Sequence, residues 1–194
     1  MEKFQNTGQP DRDWWGALWP DPAGTLRDLG LEPGDTVADV ASGNGYFTLP
    51  AARITGEPVY AVDIDSELLA DLASRADAAG LDTIATIEGD ARALPALLPE
   101  PVDVVLFANT LHGVPEPAAF LEGAREVLRD GGRLVVVNWH DLPREETTVL
   151  DEVRGPPTDL RLCEGDCRDI VRAAGFEDVQ VVDLPPYHYG LVCR

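Results

Sequence analysis

The stretch "VADVASGNGYFT", Val37 to Thr48, decides the fold. An apolar, β-branched run ends on Asp39, and small residues with two glycines, Gly43 and Gly45, follow it. The chain then resumes as "YFTLPAARI". A strand, a turn that lets a ligand approach the backbone, and a helix share this signature. Spacing excludes two ligands. A nicotinamide or flavin fingerprint, G-x-G-x-x-G, needs a third glycine where Thr48 stands. A P-loop needs a lysine after its last glycine, and Tyr46 occupies that place.

The pattern extends in both directions. "DTVADVA" (35–41), "PVYAVDID" (58–65) and "TIATIEGD" (83–90) read as strands. "VDVVLFANTLHGV" (102–114) begins as a fourth, and "RLVVVNWHD" (133–141) is a fifth. Between them lie helices. "YFTLPAARITG" (46–56) tolerates Pro50 near its first turn. "SELLADLASRADAAG" (66–80) offers Ser66 as N-cap and Gly80 as its stop. "PEPAAFLEGAREVLRDGG" (115–132) is amphipathic, with a glycine stop. This alternation implies parallel βαβ units with right-handed crossovers, hence a doubly wound α/β sheet with helices on both faces. After Asp141 the rhythm breaks. Residues 142–162 are polar and loop-like, and 164–176 reads as one more helix. Segments 177–184 and 187–194 are two strands joined through Pro185-Pro186. No helix separates them, so they pair antiparallel.

"DVASGNG" (39–45) resembles the first motif of the class I S-adenosylmethionine-dependent methyltransferases, Asp/Glu-x-Gly-x-Gly-x-Gly. Ala41 replaces the first glycine, which implies that φ need not be positive there. Asp63 ends the second strand, where a carboxylate can accept hydrogen bonds from both ribose hydroxyls. Asp90 follows the third strand in "EGDA"; in the resembled family an aspartate here receives the adenine amino group, with Ala91 giving a backbone contact. Asn109 ends the fourth strand at the sheet's carboxyl edge, where ligands of such sheets bind. The stretch from "ANTLHG" to "VVVNW" looks like the corresponding segment of small-molecule methyltransferases of this class. The resemblance spans about residues 35 to 194. It implies a seven-stranded, mostly parallel, Rossmann-like sheet with a C-terminal antiparallel pair. It implies S-adenosylmethionine as cofactor, held by Asp39, Ala41, Ser42, Gly43, Gly45, Asp63, Ile64, Asp90, Ala91 and Asn109. The acceptor it implies is a small molecule, methylated in line, with no metal.

Displacement at a sulfonium methyl needs positioning above all, which can supply roughly 7–11 kcal/mol. A base is needed only where the nucleophile must lose a proton. Its candidates are His112, after the fourth strand, and His140, after the fifth. Either histidine has a structural alternative as a plain hydrogen-bonder. The family's N/D-P-P-Y motif for amino methylation is absent, since "NTLH" stands after the fourth strand. Without an evident base, a non-catalytic protein that binds S-adenosylmethionine or S-adenosylhomocysteine is the alternative reading.

"DRDWWGALWPDP" (11–22) holds Trp14, Trp15 and Trp19. They are too apolar for a solvated tail. Residues 1–34 are therefore expected to form an N-terminal helical lid segment, or a helix pinned to the sheet, ahead of a methyltransferase domain at 35–194. This segment and the 142–162 loop would make most of the acceptor pocket. Cys163, Cys167 and Cys193 are too few and odd in number for a disulfide framework. They are buried small hydrophobes or, in a rival reading, three thiolates for arsenite in an arsenite methyltransferase-like enzyme.

The chain of 194 residues carries 35 acidic and 15 basic side chains, a net charge of −20. That charge repels nucleic acid. It suits a halophilic, molar-salt cytosol, where the screening length falls to about 3 Å, or else an acidic bacterial protein. No apolar run is long enough to span a membrane, and the polar N-terminus lacks a secretory centre. The chain therefore reads as cytoplasmic. Its oligomeric state is not encoded in any motif.

Overall fold

The computed structural model describes residues 3–5 and 7–194. Met1, Glu2 and Asn6, part of the expected lid segment, lie outside the described residues. Two short helices come first, α1 (Arg12–Leu18) and α2 (Pro22–Asp28). Asp21 starts α2 by accepting a hydrogen bond from the Gly24 N–H at 2.8 Å, with Pro22 in the first turn. Strand β1 (Val37–Val40) is buried at every position, as a strand covered on both faces must be. Then follow α3 (Thr48–Thr55), β2 (Val59–Asp63), α4 (Ser66–Ala79), β3 (Ile84–Glu88), α5 (Leu94–Leu97), β4 (Val102–Ala108), α6 (Pro117–Glu126) and β5 (Leu128–Trp139). A two-stranded hairpin, β6 (Thr148–Val149) with β7 (Glu152–Val153), interrupts the 142–162 segment. Helix α7 (Glu164–Ala173) and strands β8 (Gln180–Leu184) and β9 (His188–Cys193) close the chain.

Among the described residues the main sheet has seven strands in the order β3-β2-β1-β4-β5-β9-β8. Strands β1 to β5 run parallel, and β9 lies antiparallel to both β5 and β8. The doubly wound sheet with an antiparallel C-terminal pair is thus the observed architecture.

Period-2 alternation along the strands sorts the core into two layers. On one face Val37, Leu106 and Val135 meet Trp15, Leu26 and Leu29 of the N-terminal segment and Ala51 and Ile54 of α3. Leu69 and Leu72 of α4 pack on Ala61 beside them. On the other face Val40, Phe107 and Val136 meet Leu121 of α6 and Val171 of α7. Trp15, Leu18, Trp19, Leu26, Leu29 and Leu31 of the N-terminal segment are therefore core, sharing one cluster with the sheet.

Two boundaries depart from the sequence expectation. Asp65, not Ser66, caps α4: its carboxylate accepts from the N–H groups of Glu67 and Leu68 at 3.1 and 3.3 Å. The Asp carboxylate precedes the helix by one more residue and reaches both free donors. Gly80 stops α4 with φ of 64°, as its type requires. Helix α6 ends at Glu126 and β5 begins at Leu128, five residues before the expected start at 133. The extra length is held on β4, where Leu128 lies opposite Val102 and the Arg129 guanidinium donates to Asp103 at 2.6 Å. Such non-local pairing overrides the helical pattern of "AREVLRDGG".

Candidate functional site

Strand order reverses between β1 and β4, and there the carboxyl ends of the strands diverge. A cavity of about 380 Å³ opens at this edge. The turn after β1 forms its floor. Ser42 N–H donates to the Val62 carbonyl at 3.1 Å, and Gly45 N–H to the Ser42 carbonyl at 3.0 Å. Gly43 and Gly45 have φ of 55° and 84°. Ala41 also has a positive φ, 59°, contrary to the expectation from its side chain. The turn imposes the conformation, and alanine bears a strain of about 1–2 kcal/mol there.

Gly45 does not line the cavity. A Cβ on it would collide with the Leu72 side chain of α4, so this glycine serves helix packing. Asp39, Ala41, Ser42, Gly43, Asp63, Ile64, Asp90, Ala91, Asn109 and His112 do line it. Sequence positions as far apart as Asp39 and His112 are thus brought around one space.

The acids are held differently. Asp39 is 2% exposed and accepts from the Thr48 hydroxyl at 2.5 Å. Burial pushes its carboxyl up to about 6, against the lowering effect of that hydrogen bond. Asp63 ties the turn to β2, one oxygen accepting from Gly43 N–H at 2.8 Å and the other from Asp65 N–H at 2.9 Å. Each carboxylate oxygen keeps a second acceptor site. Asp90 caps the short turn at 91–93 through Arg92 N–H at 3.0 Å and pairs with the Arg92 guanidinium at 2.7 Å.

Asn109 ends β4 in the left-handed region, φ 57°. Both atoms of its side-chain amide, and Ser42 Oγ, are buried with no hydrogen-bond partner among the described residues. Buried orphan atoms of this kind call for a ligand. With Asp39 and Asp63 beside them, they fit a cationic, hydroxyl-bearing group such as S-adenosylmethionine.

His140 lies elsewhere. Adjacent residues of a strand point to opposite faces, and Trp139 takes the cavity side. The His140 ring sits 5.3 Å from that of Tyr189, and its Nε2 is 3.5 Å from Asp183. Trp14 and Trp15 line the cavity, whereas Trp19 packs against Phe47 and His188. The three thiols also lie outside the lining. Burial raises the Cys167 and Cys193 thiols to about 11 and about 12, so both stay protonated.

Within the N-terminal segment expected as a lid, Lys3, Phe4, Thr7, Gly8, Gln9 and Pro10 line the cavity, residues that no sequence motif singled out. The Lys3 ammonium donates to Asp65 at 2.6 Å. Phe4 packs edge-on against Phe120 of α6, and the Arg92 guanidinium stacks over it at 4.7 Å. Gln5 N–H donates to the Gly113 carbonyl at 3.2 Å, and Asn44 N–H to Gln9 Oε1 at 3.3 Å. Nothing in "KFQNTGQP" signals these contacts; only the apolar Phe4 in a polar run hints at an anchor. Arg144, Arg154 and Trp139 were likewise missed. Arg144 and Arg154 belong to the 142–162 loop, expected to form part of the acceptor pocket with no residue named, and Trp139 to the expected fifth strand.

The family described as a methyltransferase domain matches residues 31–167. A crystal structure of an S-adenosylmethionine-dependent methyltransferase from Aquifex aeolicus superposes with a TM-score of 0.78 at 26% identity, covering 94% of this chain and 93% of that one. A tRNA (guanine(6)-N2)-methyltransferase of Thermus thermophilus is 37% identical over 134 residues, 63% of this chain and 39% of that protein. A ubiquinone/menaquinone biosynthesis C-methyltransferase of Rhizobium leguminosarum bv. trifolii is 31% identical over 138 residues, 70% of this chain and 52% of that protein. The match covers 39% of the length of the first curated relatives. With the motif turn and the reversal point both inside the matched residues, the chain belongs to the methyltransferase-domain family, as a class I S-adenosylmethionine-dependent member with a Rossmann-like sheet.

Proposed function

We propose that the protein transfers a methyl group from S-adenosylmethionine directly to a small-molecule acceptor in this cavity. The observation that carries the reading is the convergence of Asp39, Asp63 and the orphaned polar atoms of Ser42 and Asn109 on one space. S-adenosylmethionine supplies a methyl on a sulfonium, whose sulfur departs as a neutral thioether. The chain's own part is to bind, to orient and to exclude water. Asp63 accepts from ribose hydroxyls through its remaining lone pairs, while its bonds to Gly43 and Asp65 keep it in place. Asp39, when ionised, favours positive charge nearby. The Asn109 amide and Ser42 Oγ receive polar groups of the ligand. Asp90 and Ala91 border the adenine end. His112 stands in the cavity as the group able to take a proton from an acceptor that must lose one.

The tRNA substrate of one relative is not carried over. A net charge of −20 opposes a polyanionic acceptor. The arsenite reading is not carried over either, because its thiols lie away from the cavity and two are held protonated. No helix among the described residues is long and apolar enough to cross a membrane, and a cytoplasmic site of action belongs to the same reading.

Calorimetry tests the cofactor, and turnover tests the reaction. S-adenosylhomocysteine is expected to bind in the micromolar range, about −8 kcal/mol, and NAD to give no heat. With S-adenosylmethionine and a pool of small metabolites, S-adenosylhomocysteine should accumulate, and should do so more slowly in His112→Gln where the acceptor needs a base. Binding without any turnover would leave a non-catalytic cofactor binder. Binding of NAD in place of the sulfonium would overturn the reading.

A further inference from the structure

We propose that the acceptor carries an anionic group, a carboxylate or a phosphate, held by the guanidinium groups of Arg144 and Arg154 at the end of the cavity away from the acidic strand tips. This deepens the methyltransferase reading and rests on it. Apart from Lys3, whose ammonium is taken up by Asp65 at 2.6 Å, the charged residues of the lining are segregated. Its acids, Asp39, Asp63 and Asp90, come from the ends of β1, β2 and β3. Its arginines, Arg144 and Arg154, come from the segment around the β6–β7 hairpin, and no acid of that segment lines the cavity. In a chain with 35 acidic and 15 basic side chains, an acid-free, two-arginine wall departs from the average surface.

The arginines are built in rather than scattered. Arg144 donates its Nε–H to the Gly155 carbonyl at 3.0 Å, which leaves both Nη groups without a hydrogen-bond partner among the described residues. Arg154 lies with its guanidinium carbon 5.5 Å from the centre of the Trp14 ring. Its Nε is buried and has no partner among the described residues. Its Nη2 pairs with Glu152 at 2.6 Å, but that glutamate side chain is 67% exposed and can be exchanged for a ligand oxyanion. Beneath them Arg161 is 7% exposed, and its guanidinium donates to neutral oxygens alone. These are the carbonyls of Pro156, Leu142 and Arg154 and the Thr147 hydroxyl. Arg161 is a positioning residue: its hydrogen bonds to Leu142, Thr147, Arg154 and Pro156 tie both ends of the segment together behind the wall. Guanidinium pairs match carboxylate and phosphate oxygens in number and plane. Trp14, Trp15 and Trp139 offer apolar rings beside them, so an acceptor with an apolar body and an anionic end fits the wall.

Three small probes test the proposal on the protein saturated with S-adenosylhomocysteine: phenyl phosphate, benzoate and neutral benzyl alcohol. At least one anion should bind roughly tenfold more tightly than the alcohol. The tighter of the two identifies the oxyanion class. Arg144→Gln and Arg154→Gln should each weaken that anion several-fold while S-adenosylhomocysteine keeps its affinity. Arg172→Gln, at an exposed arginine of α7, makes the same change in net charge and should leave probe binding unaltered. Because Arg154→Gln can disturb the hairpin, wild-type protein gives a second readout: anion affinity should fall with added potassium chloride, and alcohol affinity should not. Equal binding of anions and alcohol, no anion binding, or equal losses in the Arg172 variant would overturn the proposal. Failure of S-adenosylhomocysteine to bind wild type at the outset would instead overturn the cofactor reading.

Discussion

Thr48 is the residue that denies this chain a nicotinamide fingerprint, and its hydroxyl is the hydrogen-bond donor to Asp39. The same position therefore rules out one cofactor and supports the acid of the other motif. Asp39 is costly as an anion. Its folded value, about 6, lies above the ordinary 3.8, so the folded chain holds this proton more tightly than the unfolded chain does. The cost is absent below 3.8, grows as pH rises between 3.8 and 6, and is complete above 6. It amounts to something on the order of 3 kcal/mol. Asp39→Asn is expected to raise the melting temperature at pH 7.5 by roughly 6–12 °C and to lose most of that gain near pH 4. A cationic ligand beside Asp39 favours the ionised form. Wild-type affinity for S-adenosylhomocysteine, which keeps its ammonium group, should rise between pH 5 and 7.5 and be flatter in the variant. Melting curves and titrations at the two pH values check this; an identical gain at both would show that Asp39 is ionised throughout.

At the scale of elements, the segment from Lys3 to Pro10 is fastened to four parts of the site: the α4 cap, α6, the 111–113 turn and the glycine turn. Its ties are few. The Lys3 pair is half-exposed and adds little. The Phe4–Phe120 contact and two backbone-donated hydrogen bonds do most of the holding. A segment so held opens more readily than the core beneath it. Removing residues 1–10 should speed dissociation of S-adenosylhomocysteine by roughly tenfold. It should change the melting temperature of the unliganded protein little, since the buried core residues begin at Trp15 and Phe4 packs against the core as a partly buried ring. Stopped-flow displacement measures the rate, and an unchanged rate would mean that the segment does not cover the ligand.

For the whole molecule the dominant quantity is charge. Thirty-five acids on 194 residues repel one another in dilute buffer, and salt shortens the screening length from about 10 Å at 0.1 M to about 3 Å at 1 M. The melting temperature at neutral pH is expected to rise between 0.1 and about 2 M potassium chloride. Excluded salts also strengthen burial, so pH separates the causes. Near the sequence pI of 4.2 the carboxylates lose charge, and the gain should shrink if repulsion is its source. A flat response at neutral pH would reject adaptation to molar salt and leave the family untouched.

Local rules determined much of this protein. Strands β1 to β5, Gly80 as a helix stop, and the antiparallel pairing of β8 with β9 all follow from periodicity, glycine chemistry and the length of connections. Ten of the candidate site residues gather at the cavity because strand ends of a doubly wound sheet converge at its reversal point. What is decided between distant parts of the chain was not legible. Whether Trp139 or His140 faces the ligand depends on the register of β5 between β4 and β9. The early start of β5 depends on Arg129 meeting Asp103. The positive φ of Ala41 is imposed by a turn bonded to Val62 and Asp63, against the preference of its own side chain. The proton affinity of Asp39 comes from burial under α3, and the arginine wall from Arg161 gathering carbonyls up to 19 residues away. Local sterics and hydrophobic period act within a few residues and can be read along the chain. Burial, charge and the choice of face arise from contacts across the fold, and only the folded molecule sets them.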